Sequence, residues 1–393
     1  MKKIRAFICL CVLAVLALSS VNYAQKNNAQ MTDLVTGQSF RFRSDVLGEE
    51  RVIQISLPLG YNNSENRYPL VIVLDGEAHF QYTAGLVQYM ATLGYPQMIV
   101  AGIPNTVRNR DYTPRRIADV PVSGGGDNFL KFLETEFLPY IDKNYRTHPY
   151  RIIIGHSLTG VFSLYTMLTK PDMFNGFICA SPWVISDDNY IVDYAEERLK
   201  GLKTLNKRLY YTVGSLEQED LQTTMGAFNE VLAASAPSGL QREYKLLEGH
   251  DHGSLVPMTI FDGLRFIYRD WQVPDGVMNK GLDAILEHYR KLSQTFGYSV
   301  TAPEFIMNIA GYNFLRQGKH EDAIAIFKKN TELYPRSPNT YDSLGEAYEN
   351  AEQLAPALEN YEKAFRMGDA VNDRNTNIFR TNYERVQNRI GKN

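Results

Sequence analysis

The stretch "YRIIIGHSLTGVFSLYTMLT", residues 150–169, restricts this chain's possible folds more than any other. Ile152, Ile153 and Ile154 are consecutive, so a strand formed there has apolar side chains on both faces and needs cover on both. Gly155, His156 and Ser157 then interrupt the run, and the residues from Leu158 onward read as an apolar helix. A buried strand that breaks into a helix, with glycine two residues before a serine, spells a sharp turn. Such a turn lifts the serine hydroxyl out of the top of an α/β sheet. The usual pattern is G-x-S-x-G, but here Thr159 takes the fifth place and Gly160 follows one residue late. Thr159 adds three heavy atoms where the new helix is expected to pass close to a neighbouring strand, and Gly160 is expected to relieve the crowding. On this reading the elbow survives.

Similar β-rich runs recur at 51–59, 68–76, 97–105, 174–182, 207–215 and 241–249, with helical patterns between them. Strand and helix in alternation predict an α/β domain with a mostly parallel central sheet. "DNFLKFLETEFLPYI" reads as a helix with Asp127 as N-cap. The preceding "SGGGDN" lacks phosphate-loop spacing and reads as a flexible entry to that helix. A net charge of −3 with no basic cluster argues against nucleic-acid binding.

At 393 residues the chain exceeds one ordinary core. "MKKIR" followed by "AFICLCVLAVLALSS" reads as an export signal over residues 1–24, cut after Ala24. An uncleaved anchor is the rival reading, although the run is short for a membrane span. Cleavage removes Lys2, Lys3 and Arg5, making the formal charge three units more negative, and leaves Cys179 as the sole cysteine. No intrachain disulfide is then available, so the core must supply the stability. These features predict an exported, periplasmic protein with no stable membrane insertion after cleavage.

An α/β domain is expected over 35–271, a linker over 271–281 and a helical domain over 281–393. Within the last, residues 313–335 and 346–368 match at a shift of 34 residues, aligning Gly311 with Gly345, Ala323 with Ala357, and Phe327 with Tyr361. This spacing resembles tetratricopeptide repeats. Because two repeats are marginal alone, the helix at 281–297 is expected to cap them, and the unit is a candidate surface for a protein partner.

Attack on an ester carbonyl needs an exposed nucleophile, a base and oxyanion donors. Ser157 is the candidate nucleophile. On this fold the acid and then the histidine follow the serine along the chain. "EGHDHGS" offers His250 and His252 after the last strand. His252 is preferred because it lies nearer the helix that Ser254 is expected to cap. The H-x-H pair, with Glu77 or His79, is alternatively a metal site, but no third ligand has helpful spacing. Glu217 is the first carboxylate past the strand "RLYYTVG" and the preferred acid, with Glu219 and Asp220 as alternatives or first-turn helix acids. The backbone N–H groups of Leu158 and Glu77 are the expected oxyanion donors.

Together "YPLVIVLDG", "GIPNTVRNRDYTP", "IIIGHSLTG", "CASPWV", "VGSLE" and "HDHGSLVPMTIFDGLRF" resemble the esterase family of α/β hydrolases that includes ferric-enterobactin and related siderophore esterases. The resemblance covers roughly residues 35–270. It implies an α/β-hydrolase fold and a triad of Ser157, Glu217 and His252, with an oxyanion amide at Glu77 and no metal or organic cofactor. It also implies a small-molecule ester substrate. Arg108, Arg110 and Asp111 match the family's R-x-D-x-T-P element. The two arginines are candidates for holding an anionic substrate group, and Asp111 reads as a loop brace. Trp183 is expected at the pocket mouth. Thr159 departs from the family's glycine. The expected activity is ester hydrolysis through an acyl-enzyme. Acyl transfer with the same residues, or a non-catalytic interaction protein built on the repeats, are the alternatives.

Overall fold

Along the strand Thr147–His156 (β5) the side chains divide between two cores. Ile152 and Ile154 enter one, and Ile153 enters the other. The same alternation runs through Tyr68–Leu74 (β3), where Val71 and Val73 oppose Leu70, Ile72 and Leu74. Burial on both faces is the physical counterpart of the uninterrupted apolar runs. The structure, a computed structural model, describes residues 35–391, Ala236 excepted. The expected export segment lies outside the described residues.

The sheet has eight strands in the order β1-β2-β4-β3-β5-β6-β7-β8. The others are Gln38–Ser44 (β1), Glu49–Ser56 (β2), Ile99–Ile103 (β4), Gly176–Ala180 (β6), Arg208–Gly214 (β7) and Gln241–Leu247 (β8). β1 pairs antiparallel with β2, and β2 with β4; every other pairing is parallel. β1 has no counterpart among the runs read from the sequence. Its residues Phe40 and Phe42 are only partly buried, so its apolar signal is weak.

Two helices, Gly76–Thr92 (α1) and a later one over Val256–Ile267, bury side chains in the first core. The opposite face is covered in chain order from Arg108–Tyr112 (α2) and Gly126–Phe132 (α3) onward. α3 runs through a π-helical turn at Leu133–Phe137 into Leu138–Asn144 (α4). Leu158–Thr169 (α5), Tyr190–Leu199 (α6) and Glu219–Ser235 (α7) complete this layer; the helix at Val256–Ile267 is α8.

Asp127 is not the N-cap: α3 begins one residue earlier, with Gly125 in the cap position. The Asp127 carboxylate instead accepts a 2.6 Å hydrogen bond from the Tyr165 hydroxyl. The glycine run before it is also tightly packed. A Cβ on Gly124, at φ +85°, would sit 2.7 Å from the backbone nitrogen of Arg116, and one on Gly125 would sit 2.7 Å from the Arg110 carbonyl.

The expected linker contains the short helix Asp275–Met278 (α9), with Trp271, Val273 and Met278 buried. It is a packed joint. Beyond it stand Leu282–Phe296 (α10), Glu304–Arg316 (α11), His320–Leu333 (α12), Pro338–Asn350 (α13), Leu354–Ala370 (α14) and Thr376–Ile390 (α15). The 34-residue shift is visible in the packing. A Cβ on Gly311 would lie 2.5 Å from the Phe327 ring, and one on Gly345 2.8 Å from the Tyr361 ring. Ala323 and Ala357 are fully buried. The glycines and alanines let paired helices close on the aromatic ring.

The helical unit shares the first core with the sheet. His148 stacks on Tyr298 at 3.8 Å, Tyr150 meets Phe296 edge-on at 4.9 Å, and the Arg208 guanidinium lies 5.3 Å over Phe296. These sheet residues stand at or near the amino ends of β5 and β7, so the unit docks at the end of the sheet opposite Ser157.

Candidate active site

Ser157 stands alone between the end of β5 and the start of α5, at φ 58° and ψ −120°. A non-glycine residue in that region is strained and must be held there by its surroundings. Gly155 is part of that support. A Cβ on it would come within 2.1 Å of the Thr159 carbonyl oxygen and 2.6 Å of Ser163 Oγ. Thr159 is not the position of close approach expected from its place in the motif. That role falls to Gly160, where a Cβ would meet Pro182 Cα at 3.0 Å. Thr159 is fully buried and faces the loop after β3. Its Oγ1 accepts from the His156 N–H at 2.8 Å and donates to Asp75 Oδ2 at 2.8 Å. The departure from glycine is a polar strut.

His252 Nδ1 lies 2.6 Å from Glu217 Oε2. The Glu217 carboxylate is nearly sealed, with 2% side-chain exposure. It also accepts from Ser181 Oγ at 2.7 Å and from the Gly214 N–H at 2.7 Å. Burial pushes its pKa up, but the bonds from His252, Ser181 and the Gly214 amide outweigh burial and hold it below the ordinary carboxylate value. Glu219 and Asp220 open α7 as first-turn acids. His250 contributes through its backbone, its carbonyl accepting the Leu216 N–H at 3.0 Å. Ser254 does not cap α8, which begins at Val256 after Leu255. Its Oγ accepts from the Asp251 N–H at 3.0 Å instead.

Ser157 and His252 line one cavity of about 390 Å³. Among the described residues no hydrogen bond joins Ser157 Oγ to His252, and such contacts often tighten only once substrate is bound. The Trp183 ring is 5.2 Å from the His252 imidazole, edge-on, and forms part of the cavity wall. Leu158 is the first residue of α5 and Glu77 the second of α1, so helix geometry leaves neither N–H an intrahelical acceptor. The Glu77 carboxylate accepts from the Asn105 N–H at 3.0 Å and from its Nδ2 at 2.6 Å.

Two residues that sequence reasoning misses join this cluster. Ser181, in "CASPWV", has φ 39° and no exposure. Its sequence signals are its place directly after a buried strand and inside a stretch that carries the family resemblance, and neither assigns it a role. His156 is too near the serine along the chain to act as its base, yet its Nε2 lies 2.8 Å from the His252 carbonyl. A carbonyl only accepts, so Nε2 carries the proton. Burial, then the nearby His252, pushes the His156 pKa down to about 4.

Both candidate arginines are engaged by carboxylates. Arg108 borders the cavity, but Nε and Nη2 bond Asp75 at 2.7 and 3.0 Å. Burial raises the Asp75 pKa, and the bonds from Arg108, Asn105 and Thr159 more than reverse this. The structure places Arg110 away from the cavity wall. Its nitrogens bond Glu49 at 2.7 and 3.0 Å and Asp111 at 2.7 Å. Asp111 also holds the buried Arg51 at 2.6 Å, so this group braces the loop after β4. A larger hollow of about 450 Å³ near Glu134 and Arg151 lies at the other end of β5 from Ser157.

The chain is 27% identical over 236 residues to the ferri-bacillibactin esterase BesA of Bacillus subtilis, spanning 53% of this chain and 80% of that one. An IroE-like serine hydrolase from Shewanella oneidensis matches in structure with a TM-score of 0.68 and 26% identity, covering 76% of this chain and 99% of that one. An uncharacterised protein from Capnocytophaga ochracea shares the fold at 18% identity and a TM-score of 0.65, over 88% of this chain and 99% of its own. The family model described as "Putative esterase" matches residues 44–254, more than half the chain. The chain belongs to this esterase family and has the α/β-hydrolase-like fold that its neighbours share.

Proposed function

We propose that the chain is an exported serine hydrolase that cleaves carboxylic esters through an acyl-enzyme. The observation that carries this reading is the strained backbone of Ser157, at φ 58°, beside a cavity that His252 also lines. Strain persists where function requires it, and acyl transfer requires an exposed hydroxyl next to a base. An ionised Glu217 only accepts hydrogen bonds, so His252 Nδ1 keeps its proton and Nε2 keeps its lone pair.

On this reading Nε2 takes the Ser157 proton as the Oγ–carbon bond forms. The N–H groups of Leu158 and Glu77 receive the carbonyl oxygen's developing charge. Collapse breaks the bond to the alcohol oxygen, which leaves with the proton from Nε2. Water then gives a proton to Nε2 while its oxygen bonds the acyl carbon. The Ser157 oxygen departs, recovers that proton, and a carboxylic acid is released. Arg108, Asn105 and Thr159 act as braces of the Asp75–Glu77 loop.

Export and a periplasmic location rest on the sequence of residues 1–24. We read the 34-residue helix pairs as tetratricopeptide-like and assign them to bracing the sheet, because their core is continuous with it. The substrates in the relatives' names bring siderophore esters into the assay panel. The test compares wild type with Ser157→Ala on p-nitrophenyl butyrate, with fluorophosphonate labelling of both. Labelling confined to wild type and a loss of roughly 10³-fold or more in kcat are expected. Equal turnover by the two proteins would sink the proposal.

A further inference from the structure

The walls of the cavity beside Ser157 are mainly apolar. Ile117 and Val120 supply one side, and Leu158 and Trp183 the other. The first pair sits on the strap over residues 113–124, which is stapled to itself. Ser123 Oγ accepts from the Ile117 N–H at 2.9 Å and donates to the Val120 carbonyl at 2.8 Å. The second side continues into residues 183–189. Arg115 joins the two sides by an ion pair with Asp187, and its guanidinium lies 4.5 Å over the Tyr190 ring.

The one arginine in the wall of this cavity is already neutralised, while Arg116, exposed on the strap beside Ile117, is not part of the wall. Arg108 is the one Arg, Lys, Asp or Glu in the cavity wall among the described residues. Asp75 takes two of its nitrogens, and the His156 carbonyl also accepts from Nη2 at 3.3 Å. Arg115 belongs to Asp187, and Arg110 is held by Glu49 and Asp111. Of the nearby exposed charges outside the wall, Asp119 and Asp188 outnumber Arg116, leaving a net negative balance. An anionic group moving from water into this space would lose hydration and find no free cation in the wall in return, which is unfavourable. A neutral alkyl or aryl group would be favoured by the same walls. A cavity of about 390 Å³ also stands at the small end of ligand sites.

We infer that the site selects uncharged esters with a compact alkyl or single-ring group, and discriminates against anionic esters, including iron-loaded catecholate lactones. This rests on the catalytic reading given above and narrows its substrate class. Arg108 serves the oxyanion loop, and its remaining Nη1 has no protein acceptor among the described residues. It can give a hydrogen bond to a neutral ester oxygen without acting as an anion anchor.

The experiment measures kcat/KM of the full chain for two esters of matched length, p-nitrophenyl pentanoate and p-nitrophenyl hydrogen succinate. A ferric tricatecholate lactone is assayed beside them. The neutral ester is expected to be preferred by at least roughly tenfold, the scale on which pocket contacts discriminate. Val120→Lys, which places a cation in the wall, is expected to shrink that ratio, while Val120→Asn changes polarity without charge and shrinks it less. Equal or better turnover of the succinate or the ferric lactone, with Ser157 labelled by fluorophosphonate, overturns this inference and leaves the catalytic reading standing. Absence of both labelling and hydrolysis overturns the catalytic reading, and this inference with it.

Discussion

The two ends of the sheet follow different physical rules. At the carboxyl ends of the strands the backbone is strained, with Asp75, Ser157 and Ser181 at φ 51°, 58° and 39°. Hydroxyls bridge carboxylates there, and cations are balanced in pairs. At the amino ends the same strands are held by stacked rings, with Tyr150, Tyr268 and Phe296 in mutual contact and His148 on Tyr298. Among the described residues, no non-glycine residue at positive φ lies at the amino end of a strand; Glu352 and Asn372 are in turns between helices of the docked unit. β5 joins the two, and at about 3.3 Å per residue its ends are roughly 30 Å apart. Chemistry and stability are therefore spatially separable, and substitutions at one end should move one quantity and spare the other.

Glu217→Ala tests this most severely. A drop of roughly 10³- to 10⁴-fold in kcat is expected, since His252 loses the partner that fixes its tautomer. The melting temperature should move by a few degrees at most, because one buried acid is exchanged for a small side chain. Retention of a tenth of wild-type kcat would remove Glu217 from the triad. Phe296→Ala tests the opposite end. Loss of that buried ring should cost about 3–5 kcal/mol in urea unfolding, while kcat of the folded fraction stays within about twofold of wild type. A large fall in kcat there would show that the two ends are coupled.

Thr159→Val keeps the shape and removes the strut between the elbow and Asp75. Because a buried hydrogen bond to a charged group is lost, kcat should fall roughly tenfold. Thr159→Ser should restore it to within about twofold, a rescue that steric packing alone does not provide. The smallest effect is on pH dependence. His148 and His156, one at each end, both have pKa values pushed down to about 4, with burial the main cause. The unfolded chain protonates first, so the stability they contribute is complete above about pH 6.5 and is lost as pH falls toward 4. Melting curves across that window should flatten in both His148→Gln and His156→Gln. Only His156→Gln should also lower kcat, through the His252 loop. Identical activity profiles for the two variants would erase the distinction.

Most of the parallel sheet is legible in the sequence, because a short, uninterrupted apolar run is stable as a strand only when both of its faces are covered. β1 is not, since its Phe40-Arg41-Phe42-Arg43 alternation is short and carries only two apolar residues, both half-buried on an edge. The serine turn is visible in Gly155 and Ser157, whose residue types follow from local backbone geometry. Glu217 and His252 can be ranked by order along the chain, but the contact between them comes from tertiary structure. Thr159 reads as a steric intruder in the sequence because its partner Asp75 is 84 residues away. Arg108 and Arg110 look available for a ligand for the same reason. A sequence displays a charge, but not the distant carboxylate that neutralises it. Ser181 and His156 lie inside the stretches "CASPWV" and "IIIGHSLTG", but nothing in their spacing assigns them a role, and only the fold brings them to the proposed triad.

Trp271, Tyr268 and Tyr150 face a helical layer that lies beyond the 44–254 segment matched by the family. Trimming the gene to that matched segment would delete two of these rings and leave the third facing water. The resulting fragment would be expected to clump on expression even though every proposed catalytic side chain is still encoded. For this protein, the smallest useful unit for the bench is set by where the aromatic rings find cover.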